Sequence, residues 1–220
     1  STMPVADNVI VSRFRIVWSD GRIASGSGTN ARGHVLALIE LSDGQSTNEI
    51  LVGGAHYKSG GSRNEVAART KHSDVLTAHI REARIDDAVP ASAPVILAGD
   101  FNAYATDPRR HMDILIHGDI ENETAYGFDG SLDPSGADMM DLLPTHNAAG
   151  GETWTWRDDT QQFDSYPLDR ILFTGSTLDV TGSFVLNTAI LTDVDLDAAG
   201  LEAGDVALEL DRGVFDHLPL

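Results

Sequence analysis

The chain contains no cysteine. Disulfides, thiolate metal sites and cysteine nucleophiles are therefore excluded, and any metal ion must be held by carboxylates, amide oxygens or imidazoles. Lysine is nearly absent as well, with two residues beside thirteen arginines. No apolar run reaches the roughly 20 residues that a membrane-spanning helix needs. The first residues do not form a basic and apolar leader, and a leader already removed would leave no trace. Net positive charge is also lacking: the formal balance is −19.

What is present is ordinary in amount and unusual in placement. A chain of 220 residues, 41% hydrophobic and 22% charged, can bury a sizeable core, and a single domain over residues 1–220 is the expectation. Residues 1–85 carry ten Lys or Arg against eight acids, whereas residues 86–220 carry five against twenty-six. A polyanion is repelled by the second half unless cations intervene. Most of these acids read as a solvated exterior of salt-adapted character, and some as a place where divalent cations gather.

The segment from Asn8 to Trp18 is β-branched and aromatic and reads as a strand or bent strand pair, followed by turn chemistry at Ser19–Arg22. His34–Leu41 and Glu49–Tyr57 read as a hairpin. The period then changes. Ser62 and Glu65 form a capping box, and Val66, Leu76, Ile80 and Ala83 recur at helical spacing to about Arg84. Pro94–Ala98 is a short apolar strand expected to be buried on both faces. A second helix is expected from Asp107 to His117, stopped by Gly118. Residues 119–150 read mostly as loop with one apolar segment at Met139–Leu143, followed by further strands at 152–157, 168–173 and 183–186 and an acidic loop at 192–211. Many strands with a few covering helices predict an α/β layered protein.

Chemistry concentrates in a few short clusters. Gly99-Asp100-Phe101-Asn102 sits at the end of a buried strand, where ligands usually bind in α/β sheets. Asp100 can activate a water or protonate a leaving oxygen, and Asn102 can donate to a phosphoryl oxygen or offer its carbonyl to a metal. A plain strand-end turn also uses Gly, Asp and Asn. Asp216-His217 supplies a cation ligand and a proton acceptor, or simply a local hydrogen bond. A catalytic imidazole needs an orienting carboxylate, and Asp169, directly before an apolar strand, is the candidate. Strand alternation puts His56 and Lys58 on one face, a pair suited to an anionic phosphate or to a solvated hairpin end.

The order His56-Tyr-Lys-Ser59, Gly99-Asp-Phe-Asn102, Leu168-Asp-Arg-Ile171 and Asp216-His-Leu-Pro219 resembles the endonuclease/exonuclease/phosphatase superfamily, whose members look like DNase I. Val11-Ser12-Arg13 is similar to the family's strand ending in Ser-Arg, and Thr153-Trp154 to its Thr-Trp. Arg69 stands where members carry an Arg on the helix after the His strand. The resemblance implies a four-layer α/β/β/α sandwich that hydrolyses phosphoesters by in-line attack of water. It implies that Asp100 and Asn102 contact the water and phosphate and that His56, Lys58 and Arg69 bind substrate. Asp169 would orient His217, and Asp216 would be a metal ligand, for Mg²⁺ or Mn²⁺ with Ca²⁺ also open.

Two features depart from the family pattern. The early strand with a metal-binding Asn and the following Gln-Glu have no counterpart, so the chain is expected to be the C-terminal portion of the domain. Phe215 replaces the usual Ser before Asp-His. The function expected is a divalent-metal-dependent phosphodiesterase, foremost a nuclease with a nucleic acid substrate and no stable membrane association. The alternatives are a phospholipid or inositol-phosphate phosphoesterase and a catalytically inactive binding module. The likeness of residues 56–59 to secreted nucleases implies a secreted or periplasmic location. Asp193–Asp197 lacks the Gly and Glu of a calcium loop, and Trp154 and Trp156 either stack bases or belong to a half-buried strand.

Overall fold

The structure is a computed structural model that describes residues 8–26, 31–42, 44–104, 110–147, 151–157, 164–206 and 217–220. It is a mixed α/β fold of the expected class. Chain contacts divide it into two compact units: one of Ser1–Leu142 with Arg170–Asp179, the other of Leu143–Asp169 with Val180–Leu220.

The first unit is built on a six-stranded sheet with the order β1-β2-β3-β4-β6-β5. Strand β1 is Arg15–Ser25, β2 is Arg32–Ser42, β3 is Thr47–His56, β4 is Val95–Asp100, β5 is Met140–Leu142 and β6 is Asp169–Phe173. The predicted hairpin is β2 with β3, antiparallel from His34 opposite Ala55 to Ser42 opposite Thr47. β2 is buried continuously from Gly33 to Ile39, as a strand covered on both faces must be. β1 begins later than its β-branched run suggests and passes straight through Ser19–Arg22, which is strand and not turn. Pairing with β2 holds that stretch extended, with Asp20 opposite Leu36 and Gly21 opposite Val35. Residues 9–14, the expected Ser-Arg strand, are not strand.

Helix α1, Arg63–Ile85, starts where the capping box places it. The Ser62 hydroxyl accepts from the Glu65 amide at 3.4 Å, and the Glu65 carboxylate accepts from the Ser62 amide at 2.8 Å. α1 and α2, Arg110–His117, supply Leu76, Ile80, Ala83, Met112 and Leu115 to a core completed by Leu36, Leu38, Leu51, Val95 and Leu97 from the sheet. Burying one such side chain contributes about 1.5–3 kcal/mol. β4 is fully buried on one face only: Val95 and Leu97 are buried, whereas Ile96 and Ala98 are half-buried. α2 stops at Gly118 (φ 72°), where a Cβ would lie 2.0 Å from the Gly130 carbonyl oxygen. The predicted start of α2 at Asp107 lies outside the described residues.

The region expected to be loop holds β5 and a short helix α3, Glu123–Tyr126, capped by Asn122. In the second unit the expected strands near 152–157 and 183–186 make isolated bridges: Trp156 to Tyr166 and His217, and Val185 to His146. Part of the acidic loop is helix α4, Asp193–Ala199. Thr192 caps it, accepting from the Asp195 amide at 3.2 Å, and Gly200 ends it in the left-handed conformation. A helix, not a cation loop, is what the alternating acids form.

The α1 side of the sheet also buries a polar array that hydrophobic periodicity does not reveal. His79 Nε2 lies 3.1 Å from Asp20 Oδ2, His79 Nδ1 lies 2.9 Å from His34 Nε2, and His34 Nδ1 lies 3.3 Å from His72 Nε2. All three imidazoles are at most 1% exposed. Because the Asp20 carboxylate can only accept, each neutral ring must donate from Nε2 and accept at Nδ1. The chain ends on His72 Nδ1, which is buried without a hydrogen-bond partner among the described residues. The face of the His72 ring stacks on Tyr57 at 3.9 Å.

Burial, reinforced by the neighbouring imidazoles, holds His34 well below the ordinary histidine range. Burial pushes His72 down to about 3 and lowers His79 against the opposing pull of Asp20. The unfolded chain therefore takes up protons near pH 6.5 that the folded chain refuses. Stability from this array is complete above pH 6.5 and is lost as pH falls toward the folded values, by at most about 1.4 kcal/mol per pH unit for each group. Urea midpoints measured from pH 7.5 to 4.5 are expected to fall with acid, and His72→Gln is expected to flatten the fall. An unchanged slope in that variant would show that His72 is charged in the folded protein.

Candidate active site

The first cluster arises from strand register. Parallel pairing of β3 with β4 sets Ala55 beside Gly99 and His56 beside Asp100. Gly99 has φ 145°, and a Cβ there would lie 2.0 Å from the Ala55 carbonyl oxygen. Only glycine allows the two strands to close at this point. Immediately beyond, the chain turns on itself. Asp100 Oδ1 accepts from the Asn102 amide at 2.8 Å, and Asn102 takes the left-handed conformation (φ 49°) that asparagine tolerates.

Asn102 is 2% exposed, and its side chain is committed to the protein. Nδ2 donates to the Tyr57 carbonyl at 3.1 Å and to Asp100 Oδ2 at 2.8 Å, while Oδ1 accepts from the Tyr104 hydroxyl at 3.1 Å. Both N–H groups face carbonyl or carboxylate acceptors, so the amide has one chemically consistent orientation. The expected donation from Asn102 to a phosphoryl oxygen does not fit this geometry; what remains is the second lone pair of Oδ1. Asp100 Oδ2 also lies 3.6 Å from His56 Nε2, and the two side chains are 17% and 37% exposed. Lys58 is half-buried on the same loop.

Arg69 differs most from its expected role. It is fully buried on α1, and Nη1 donates to the carbonyls of Lys58 at 2.9 Å and Gly60 at 2.7 Å. A guanidinium enclosed in this way holds the loop and does not meet substrate.

The second cluster lies in the other unit. His217 Nδ1 is 2.6 Å from Asp169 Oδ2, with side chains 32% and 20% exposed. Backbone contacts fix both partners. The Asp169 amide donates to the Thr155 hydroxyl at 3.0 Å, and the Leu218 amide donates to the Thr155 carbonyl at 2.7 Å. One imidazole nitrogen is thus tied to a carboxylate, so in the neutral ring Nδ1 carries the hydrogen and Nε2 carries the lone pair. Asp216, the expected metal ligand, lies outside the described residues.

The dyad of the second unit can move a proton, and the turn of the first gathers an acid, an amide and an imidazole. The family model described as the Endonuclease/Exonuclease/phosphatase family matches residues 6–193. The chain belongs to this family.

Members of the endonuclease/exonuclease/phosphatase family are hydrolytic phosphoesterases. Solved structures resemble the chain. A β-hairpin deletion mutant of beta toxin from Staphylococcus aureus is 15% identical, covers 83% of this chain and 58% of its own, and has a TM-score of 0.51. A beta toxin F277A, P278A mutant with bound magnesium ions is 16% identical, with coverages of 80% and 54% and a TM-score of 0.49. Sphingomyelinase C from Streptomyces griseocarneus is 16% identical, with coverages of 80% and 55% and a TM-score of 0.49. The chain spans a little over half the length of these structures, and at 15% identity the likeness to the hairpin deletion mutant is one of fold. No curated protein sequence matches the chain.

The family implies a divalent cation. Among the described residues no group of three or more His, Asp or Glu side chains is placed to hold one. The described residues therefore do not by themselves make a metal site. The tryptophans raised as base-stacking candidates have protein partners: Trp154 meets His146 edge-on at 4.4 Å and lies under the Arg157 guanidinium, and Trp156 stacks on Tyr166.

Tyr57 and Tyr104 had no assigned role in the sequence reading, yet each bonds Asn102. Their signal was proximity alone, since both lie within or beside the recognised motifs. The Gly99→Ala variant is expected to lose at least ~2 kcal/mol of stability, because a Cβ cannot share space with the Ala55 carbonyl. Chemical denaturation measures this, and wild-type stability would show that the β3–β4 register tolerates a side chain.

Proposed function

We propose that the chain carries the catalytic groups of a divalent-metal-dependent phosphodiesterase that hydrolyses nucleic acid. The observation that carries this reading is the 2.6 Å contact between His217 Nδ1 and Asp169 Oδ2. Asp169 holds the ring in the tautomer with Nδ1–H, and Nε2 takes a proton from the attacking water or, once protonated, gives one to a phosphoryl oxygen. The water forms the new P–O bond as the ester P–O bond opposite it breaks, and the departing oxygen takes a proton from solvent while Nε2 later releases the one it gained. His56 and Lys58 supply positive charge for the phosphoryl oxygens. Asp100, already accepting from Asn102, serves as an acceptor for a water hydrogen. Asp216 is assigned as a ligand of Mg²⁺ or Mn²⁺, which would supply charge stabilisation at the phosphoryl oxygens.

A nucleic acid is favoured over other phosphodiesters by the basic residues of the first unit: Arg13, Arg15, Arg63 and Lys71 are exposed. One observation favours a phospholipid instead. Val9 is 72% exposed and Val11 88%, next to Phe14 at 41%, an apolar segment suited to a lipid surface.

Plasmid nicking in Mg²⁺, its abolition by EDTA and its absence on phosphatidylcholine or sphingomyelin vesicles are the expected results. Turnover of the vesicles without nicking would replace the nuclease by the lipid reading, and binding of DNA with no cleavage in any divalent ion would leave a scaffold. His217→Ala is expected to lower kcat by at least ~10²-fold with the fold intact by circular dichroism. Retained turnover would remove His217 from the mechanism.

A further inference from the structure

The two loops of the first unit that carry candidate phosphate-binding groups meet at a phenol as well as at the Tyr57 backbone. Tyr104 is half-buried two residues after Asn102, and its hydroxyl donates to Asn102 Oδ1 at 3.1 Å. The same oxygen receives a backbone hydrogen bond from Gly60, on the loop that follows His56 and Lys58. The Tyr104 ring lies 5.5 Å below the Arg69 guanidinium, the group that grips the carbonyls of Lys58 and Gly60. One side chain therefore donates to the Asp100–Asn102 turn, accepts from the Lys58 loop and packs against the residue that clasps that loop. Burial raises the phenol's pKa, so the hydroxyl keeps the hydrogen that it gives.

We infer that Tyr104 is a positioning residue for Asn102 and that it sets the Asn102 carbonyl relative to the His56–Lys58 loop. The inference rests on the proposed phosphoesterase reading for its catalytic consequence, but the contact itself does not. Asn102 has two N–H donors and both are used, and the Tyr104 hydroxyl is the contact that acts on Oδ1. Without the hydroxyl, one lone pair of that buried oxygen loses its partner and the amide can shift on its two remaining bonds. A group misplaced by a fraction of an ångström costs rate more than binding. Phenylalanine keeps the ring under Arg69 and removes only the hydroxyl.

In the full chain, Tyr104→Phe is expected to lower kcat about tenfold at unchanged KM, with Tm within about 2 °C of wild type. In ¹⁵N-resolved spectra, the Asn102 side-chain amide signals are expected to shift and to exchange faster with solvent. A lowered Tm with kcat intact, which is the signature of a merely structural hydroxyl, overturns the inference. So do Asn102 amide signals identical to wild type. The spectra need no turnover. If the wild-type chain cleaves no phosphoester, the proposed function fails while the amide signals still decide whether Tyr104 positions Asn102.

Discussion

Where β3 and β4 lie side by side, the backbones approach so closely that a methyl group on Gly99 would overlap the Ala55 carbonyl oxygen. That approach fixes the parallel register, and the register sets His56 beside Asp100. The turn at Asp100–Asn102, the amide geometry of Asn102 and the contact of Tyr104 with the neighbouring loop all follow from it. A shift of one residue would send each of these side chains to the opposite face of the sheet. The chemistry proposed for the first unit depends on this one steric constraint.

Behind that register lies a core more polar than its composition suggests. His34, His72 and His79 are buried together and hydrogen-bonded in series from Asp20, and the last ring stacks on Tyr57. Tyr57 also holds the turn through its backbone, donating to the Asp100 carbonyl and accepting from Asn102. The array thus links the exposed edge of the sheet to the floor of the candidate site. Such a network rigidifies a core only while it stays neutral, because one buried proton in excess would leave an uncompensated charge.

Much of the fold was legible before any coordinates. The hairpin β2–β3, the Ser62–Glu65 cap of α1, the strand before Gly99 and the Gly118 stop each follow from local propensity or capping chemistry, and local rules act within a few residues. Elsewhere a distant partner decides one case and local caps another. Ser19–Arg22 has turn residues but is held extended by β2, and Asp193–Asp197 alternates like a loop but is capped as a helix by Thr192 and Gly200. At the site, Asp169 and His217 were legible as a pair because a carboxylate before a buried strand requires a partner. The enclosure of Arg69 was not legible. Nothing in the sequence shows that the Lys58 and Gly60 carbonyls would wrap a guanidinium eleven and nine residues away.

By itself, the sequence determined the class of chemistry: no thiols, an acid and an amide in one tight turn, an Asp-His pair, and family membership through their order. Only the tertiary structure decided what each group has free to offer. Asn102 became a residue with both donors spent, Arg69 a clasp, Tyr104 a junction between loops, and three unremarked histidines a single buried chain. The reason is physical: a motif states which functional groups are present, but the partners that saturate them come from segments tens of residues away. Hydrogen-bonding capacity is a property of the assembled neighbourhood, and it cannot be counted along the chain.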